Sequence, residues 1–468
     1  MIRTGMMLNS SKDQVDELAE TLDAALPLCK TRGARMKYLF CVVICCLCLV
    51  CAAFAQTAVT LPTPVTSRPE VRQKTFEAVW QTIKDKYFDP QLNGVDWAAV
   101  RVRYEPLAQA AKDDQELVSL LNRMLGELRQ SHSAVIANLG AYIARNQAAT
   151  GGLGLQTRYL AGQAVVTKVT PASPAARAGW QSGFVIKSIN GETVEQLTAA
   201  KQKTAPPGGA VYAIEVALGR ALTGKSGETV RLEYLDAKNK RREVTLTLAP
   251  RPGELFDVLG GVKLYAEFES TRLPGGFGYL RLSNFWGGLS ERLREAMRGM
   301  KDAPGLIIDV RGNSGGDSDV AHLLMGSLLE QTIIPYQTLQ RDGLKLRPED
   351  TVTPDKEPYT GPLIVLQDGL SASASEVFAG ALQDLRRAVV VGSRSSGQVL
   401  GSTFSFLPNG GLLVYPISQP VTLNGVILEG RGVKPDVEVN LTRSLLLKKT
   451  DPQLAAALAV LQKMKPKR

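Results

Sequence analysis

The chain has 468 residues, 44% apolar and 21% charged, which excludes a disordered or fibrous protein and leaves room for roughly two to four domains. Its net charge of +10 is dispersed apart from the tail KMKPKR, so it describes a solvated surface rather than a nucleic-acid footprint. All six cysteines lie at or before Cys51. A chain processed after Ala55 therefore has no disulfide, no thiol nucleophile and no thiolate metal site.

Residues 1–55 contain the apolar run YLFCVVICCLCLVCAAFA, preceded by Arg32, Arg35 and Lys37 and followed by Gln56. A basic start, an apolar middle and a small-residue A-x-A end make the order of a signal peptide, with Met36 as a possible start. The run also approaches spanning length, so an uncleaved anchor is the alternative. Both readings give an exported protein, periplasmic or extracellular, that meets a membrane only through this segment.

Residues 56–69, rich in Pro, Thr and Val, read as a linker. Residues 70–148 read as a helical domain. Phe76, Val79, Trp80, Ile83 and Tyr87 share one helical face. Trp97, Val100, Tyr104 and Leu107 form a second stripe, and Leu117, Leu120, Leu121, Met124, Leu125 and Leu128 a third, all at the period that buries a helix face. The third helix ends near GELRQSHS.

From Gly151 the period changes to short β-rich runs punctuated by Gly and Pro, giving a β domain over 149–252. GGLGL, ASPAARAGWQSG and VIKSINGETV, in that order, resemble a PDZ domain. The resemblance implies that Gly151, Gly152, Leu153, Gly154 and Leu155 bind a peptide carboxylate on backbone N–H groups, with the peptide added as a strand. Phe184 departs from it, standing where such domains carry Asp after Gly.

Residues 253–445 alternate strand and helix. FGYLRLSNF is a strand, GLIIDVRGNSGG a buried strand entering a Gly-rich turn, VAHLLMGSLLE a helix, GPLIVLQDG a buried strand, SEVFAGALQDLRR a helix and AVVVGS a strand. GLLVYPISQPVTL and GVILEGRGVKPDVEV are expected to close the same sheet. Alternation of this kind implies a mostly parallel sheet covered by helices. Residues 446–468 read as a final helix and basic tail. The fold class is therefore α+β multidomain: helical domain, PDZ-like domain and α/β core.

The segment SASASEVFAGALQD follows a buried strand and opens a helix. A serine there sits at the positive end of the helix dipole, where a developing anion is favoured. Together with GLIIDVRGNSGG and GRGVKPD, it resembles the C-terminal processing (tail-specific) serine peptidases over about residues 70–440. That implies a ClpP/crotonase-like core and a serine endopeptidase acting on unstructured or C-terminal segments of proteins, with no cofactor or metal. By the same resemblance Ser373 is the nucleophile, with Ser371 and Ser375 in support. Ala374 and either Gly315 or Gly316 supply the oxyanion-hole N–H groups.

The sequence then departs from the pattern. Ser–Lys members of the family carry the lysine after a glycine that follows the next strand. Here that pair is Gly397–Gln398, and an amide cannot accept the serine proton. The chain has two histidines. His322, inside a helical pattern, reads as packing. His132 in LGELRQSHSAVI matches a different branch, resembling tricorn-core peptidases, that uses Ser–His–Glu. That branch implies Ser131–His132 and Glu429 of LEGRGVKPD as partners of Ser373, with an imidazole limb near the ordinary value of about 6.5. The rival expectation is an inactive scaffold that binds peptide tails.

Overall fold

The computed structural model describes residues 68–464 apart from 205–208, 252 and 260–261. The export segment and almost all of the 56–69 linker lie outside the described residues.

The N-terminal segment forms helices α1 (Pro69–Lys86), α2 (Trp97–Ala110) and α3 (Asp114–Gly126), followed by the short strand β1 (Ala134–Ile136). Asp96 and Asp113 cap α2 and α3 by accepting from the Ala99 and Glu116 N–H groups, satisfying first-turn donors that a helix leaves free. The first and third apolar stripes are buried. The second frays: Tyr104 is half-buried with its hydroxyl donating to Glu127, and Leu107 is 52% exposed. These helices share one core with Leu400, Leu407, Leu413 and Tyr415, from late in the chain.

Residues 151–250 build a six-stranded antiparallel sheet whose main path runs β2 (Leu155–Leu160), β3 (Gln163–Val169), β4 (Val185–Ile189), β5 (Thr229–Leu235) and β6 (Arg241–Thr247), with the short strand Glu192–Thr193 paired to β4 off that path. The helix α4 (Ala210–Ala221), which the sequence reading did not anticipate, packs on β2. Phe184 is buried and stacks on Tyr234 at 5.5 Å, next to Trp180. An aromatic plug therefore stands where a polar residue was expected.

The remaining elements are β7 (Phe268–Arg272), β8 (Gly278–Leu282), α5 (Ser290–Gly299), β9 (Leu306–Asp309), α6 (Ser318–Gly326), β10 (Tyr336–Gln340), β11 (Leu363–Gln367), α7 (Ala374–Asp384), β12 (Val389–Gly392), β13 (Gly401–Phe406), β14 (Leu412–Thr422), β15 (Val437–Glu438) and α8 (Pro452–Leu461). One sheet runs β7-β8-β9-β11-β12-β15, antiparallel only at β7. Its strands are buried on both faces, as parallel strands require. Leu306, Ile308, Leu363 and Val365 face a core shared with α5, α6 and α7, whereas Ile307, Ile364 and Leu366 face Ala457 and Leu461 of α8.

The sequence reading placed residues 411–423 in this sheet, and the structure corrects it. β14 lies in a separate antiparallel layer with β1, β10 and β13. The open edge of β12 is taken instead by Val437–Glu438 through the Val391–Val437 register. β14 carries Pro416 and Pro420, which cannot donate to a ladder, and its pairing with β1 stitches the N-terminal helices to the core. Leu413 is the register partner of Val135 and is fully buried in their shared cluster. Leu413→Ala should therefore lower unfolding stability by about 2–5 kcal/mol. Denaturant titration checks this, and a loss under about 1 kcal/mol would show that the shared core carries little of the stability.

Candidate active site

The three serines that enter α7 differ in what their hydroxyls do. Ser371 Oγ donates to the Val310 carbonyl (2.7 Å) and accepts from the Asp368 N–H (3.0 Å). Ser375 Oγ donates to the Asn313 carbonyl (2.9 Å). Both side chains are fully buried. They rivet the start of α7 to the turn after β9. Ser373 is partly exposed and lines a cavity.

Its backbone stands at φ +55°, ψ −122°, a strained region for any residue with a Cβ, costing about 1–3 kcal/mol. A sharp strand-to-helix turn of this kind projects a side chain away from the backbone. The strain is held in place from several sides. The Ser373 N–H donates to the Gln398 carbonyl (2.7 Å) and to Glu376 Oε2 (3.2 Å), and the Ala372 N–H donates to the Asn313 carbonyl (3.0 Å). Gly315, at φ +93°, lies against the turn so closely that a Cβ there would stand 2.6 Å from Ser373 Cβ. Only glycine fits.

The sequence left two glycines open as oxyanion donors. The Gly315 N–H is committed to Asn313 Oδ1 (2.9 Å). The Gly316 and Ala374 N–H groups have no hydrogen-bond acceptor among the described residues, and the latter is a first-turn donor that a helix leaves orphaned.

Ser131, His132 and Glu429 form one chain. Ser131 Oγ lies 2.7 Å from His132 Nδ1 and 3.0 Å from Glu429 Oε2, and the Ser131 N–H donates to Glu429 Oε1 at 2.7 Å. An ionised carboxylate only accepts, so the single hydroxyl proton of Ser131 goes to Glu429. His132 Nδ1 must then carry the other proton and donate to Ser131 Oγ, which leaves Nε2 as the bare nitrogen. His132 itself stands at φ +58°, uncommon for a non-glycine residue. The loop that holds it is fixed by Asn122, whose amide donates to and accepts from the Val135 backbone.

One peptide group joins this chain to the serine. The carbonyl of Gln398 accepts from the Ser373 N–H, and the next N–H, of Val399, donates to Glu429 Oε2 (2.9 Å). No hydrogen bond joins Ser373 Oγ to His132 among the described residues. The Gln398 side chain turns away to donate to Ser396 Oγ (2.7 Å), so at the lysine position the residue contributes its backbone alone.

Burial pushes the His132 imidazole down to about 4, because a desolvated ring resists taking a charge. Burial raises the Glu429 carboxyl, opposed by the hydrogen bonds from Ser131 and from the Val399 and Leu400 N–H groups. Glu376, which the sequence reading missed, sits fully buried in the first turn of α7. Burial pushes it up to about 7, opposed by donors from Ser395, Gly397, Gln398 and Ser373. It clamps the 395–398 loop to the turn at Ser373. The spacing Ser373-x-x-Glu376 is a capping-box pattern and could have revealed it.

The Gly-rich segment lies elsewhere. Gly151 and Gly152 pair with Pro250 and Ala249, and Leu153 is buried. Gly152, Gly154 and Leu155 help line a cavity of about 240 Å³ that also reaches Arg158, Arg281 and Gly312. Arg158 of β2 binds Asp368 through Nε (2.7 Å) and Nη2 (2.6 Å), and the other oxygen of Asp368 accepts from the Gly312 N–H (2.9 Å). The 151–250 unit is thus tied to the turn that carries Gly315 and Gly316. His322 bonds Tyr336 OH through Nε2 (2.8 Å).

Residues 276–439 match the family model for peptidase family S41, and residues 68–126 match that for the tricorn protease C1 domain. Over residues 276–439 the chain is similar to peptidase family S41. Ser373, both glycines and Glu429 fall inside the first match, whereas Ser131 and His132 fall between the two. A putative tricorn protease homolog 2 from Streptomyces coelicolor is 27% identical over 387 residues, covering 78% of this chain but only 30% of that relative. The carboxyl-terminal-processing protease of a Synechocystis species is 26% identical, covering 83% of this chain and 86% of the relative. Among solved structures, the photosystem II D1 C-terminal processing protease superposes with a TM-score of 0.52 at 22% identity, over 81% of this chain and 96% of that one. Mature CPAF complexed with lactacystin gives 0.58 at 14% identity, over 84% and 98%. Both structures share the fold.

The three hydroxyls predict three outcomes. Ser373→Ala should cut turnover of an unfolded protein such as casein by about 10³-fold or more without changing the melting temperature. Ser371→Ala should lower stability by about 1–3 kcal/mol, because it removes a buried hydrogen bond and leaves the Asp368 N–H unpaired, and Ser375→Ala by about 0.5–1.5 kcal/mol, because the Asn313 carbonyl keeps the Ala372 N–H, each with a much smaller loss of turnover. An inactive Ser375→Ala protein beside an active Ser373→Ala protein would move the nucleophile.

Proposed function

We propose that this protein is an exported serine endopeptidase that cleaves unstructured or C-terminal segments of proteins, with Ser373 as nucleophile and His132 as general base. The observation that carries the reading is the hydrogen-bonded chain from Glu429 through Ser131 to His132, joined to the Ser373 turn by the Gln398–Val399 peptide. The proton count on that chain leaves His132 Nε2 free to accept. Its ring closes on Ser373 Oγ when substrate is bound, since catalytic hydrogen bonds are often long in an unliganded site.

Ser373 Oγ attacks the scissile carbonyl while its proton passes to Nε2. The resulting imidazolium is stabilised through Ser131 by the Glu429 carboxylate. Negative charge on the carbonyl oxygen falls to the Ala374 and Gly316 N–H groups. Nε2 then returns the proton to the leaving amine, and water releases the acyl group by the same route. Residues 151–250 act as a PDZ domain: the Gly151–Leu155 segment receives the substrate's terminal carboxylate and Arg158 carries the contact to the core. The apolar run before Gln56 directs the chain to the periplasm or the exterior, cleaved or retained as an anchor.

The pH profile tests the base. The imidazolium has no lone pair on Nε2, so activity is lost as the ring protonates. Burial depresses that protonation from about 6.5 toward about 4. The acid limb of kcat/KM should therefore lie below 6.5, as a property of the coupled Ser131–His132–Glu429 set. His132→Ala should fall nearly as far as Ser373→Ala, because the pair acts as one unit. Undiminished turnover by His132→Ala would remove the histidine from the mechanism. A wild-type protein silent on every unfolded substrate would favour the peptide-binding scaffold.

A further inference from the structure

We propose that one face of the strand layer beside Ser373 carries the substrate chain away from the cut, and that Phe404 and Phe406 on this face select a large apolar side chain about three to five residues from the scissile bond. The proposal rests on Ser373 as the nucleophile and adds to that site an extended subsite for aromatic or bulky aliphatic residues.

The strand layer has two faces, and packing tells them apart. Leu413, Tyr415 and Ile417 of β14 pack on the core shared with α1–α3. Side chains alternate along a strand, so the intervening residues face the other way. Among them, Ser418 and Pro420 line the cavity that Ser373 also lines, and Val414 and Leu412 continue the same row. Phe404 and Phe406 of β13 are the register partners of Val414 and Leu412 on one side, and Ala134 and Ile136 of β1 on the other. Directly opposed residues share a face. β1 opens at Ala134, just after His132. A continuous strip therefore starts at the Ser373 cavity and the His132 loop and runs out to Phe406. Gly401, the first residue of β13, also lines the cavity. At the usual strand rise, Phe404 and Phe406 stand about 10 Å and about 17 Å beyond it. An extended substrate advances at the same rise, which sets the spacing from the cut.

The strip suits an apolar polypeptide. β1, β13 and β14 contain no charged residue, in a chain that is 21% charged. Phe404 and Phe406 are 44% and 50% exposed, with their rings edge to face at 6.0 Å. Covering such a pair with an apolar side chain is favourable. Among the described residues β13 pairs with β14 alone. It is an edge strand, and it lacks the charges and prolines that blunt an edge against an extended chain. Continuity with the Ser373 cavity makes that chain the substrate rather than a second copy of this protein.

Cuts in an unfolded protein, mapped by mass spectrometry, should show aromatic or bulky aliphatic residues enriched about three to five positions from the cut on one side. Replacing both aromatics, Phe404→Ser with Phe406→Ser, should lower kcat/KM for a long peptide with Phe at that position by about 10- to 100-fold, mainly through KM. A short peptide that ends before that position should be cut as by the wild type. Leu107→Ser, at an exposed apolar residue of α2, should change neither. In the Ser373→Ala protein, fluorescence anisotropy should show the long Phe peptide bound more tightly than its Ser counterpart, and adding the two Phe→Ser changes should abolish that preference. If the preference holds while the wild type cleaves nothing, the strip stands and the catalytic reading fails. Equal losses on long and short peptides, cuts without apolar enrichment, or equal binding of the two peptides by Ser373→Ala would each overturn the proposal. So would a double variant that keeps long-peptide binding but turns a dimer into a monomer, which would assign the face to a second copy.

Discussion

The site depends on how the Glu429 carboxylate is satisfied. It accepts from Ser131 on both the backbone N–H and the hydroxyl, and from the Val399 N–H. These donors lie 298 and 30 residues away in the chain. A buried carboxylate without donors would be costly, so folding this one correctly requires the N-terminal helices and the strand layer to meet at the loop before β15. The shared core of α1–α3 with Leu400, Leu407 and Leu413 holds them there. Packing energy from apolar stripes is thereby converted into the position of an imidazole.

A second constraint is strain. Ser373 is held at a φ that its Cβ disfavours, and the surrounding hydrogen bonds over-determine it. Ser371, Ala372 and Ser375 are bonded to the Val310–Asn313 turn, and Glu376 bonds the 395–398 loop to the same serine. Asn313 is fully buried and links several of these parts: its carbonyl accepts from Ala372 and Ser375, its amide donates to Leu282, and its Oδ1 holds Gly315. With the Gly315 N–H occupied in this way, the Gly316 N–H is the one without an acceptor among the described residues. Preorganised donors of this kind stabilise charge without reorganising during the reaction.

Much of this could be read from the chain. The buried runs LIID and LIVLQ, the Gly-rich turn and the small-residue helix start placed the parallel sheet and Ser373. Continuous apolar runs ending in glycine or serine have few other uses. The pairing of β14 was not legible. An apolar strand does not declare its partner, and the decision rested on which edge Val437 took. The His322–Tyr336 hydrogen bond was hidden for a related reason, since its members come from a helix and a strand with no local pattern. The Arg158–Asp368 pair spans 210 residues. Glu376 was legible as a capping box, but nothing local showed that its carboxylate would also hold Gly397 and Gln398. The choice between Gly315 and Gly316 turned on an asparagine side chain that sequence cannot orient.

The central claim is that Glu429, through Ser131 and His132, makes Ser373 a nucleophile although the lysine position holds Gln398. Covalent capture by a fluorophosphonate tests this directly, because it reports serine activation without requiring a known substrate. The account predicts a single adduct, mapped to Ser373 by mass spectrometry, with a capture rate at least about 10²-fold lower in His132→Ala, since an unassisted hydroxyl is a weak nucleophile. An adduct on another serine, or equal capture rates in the two proteins, would contradict it.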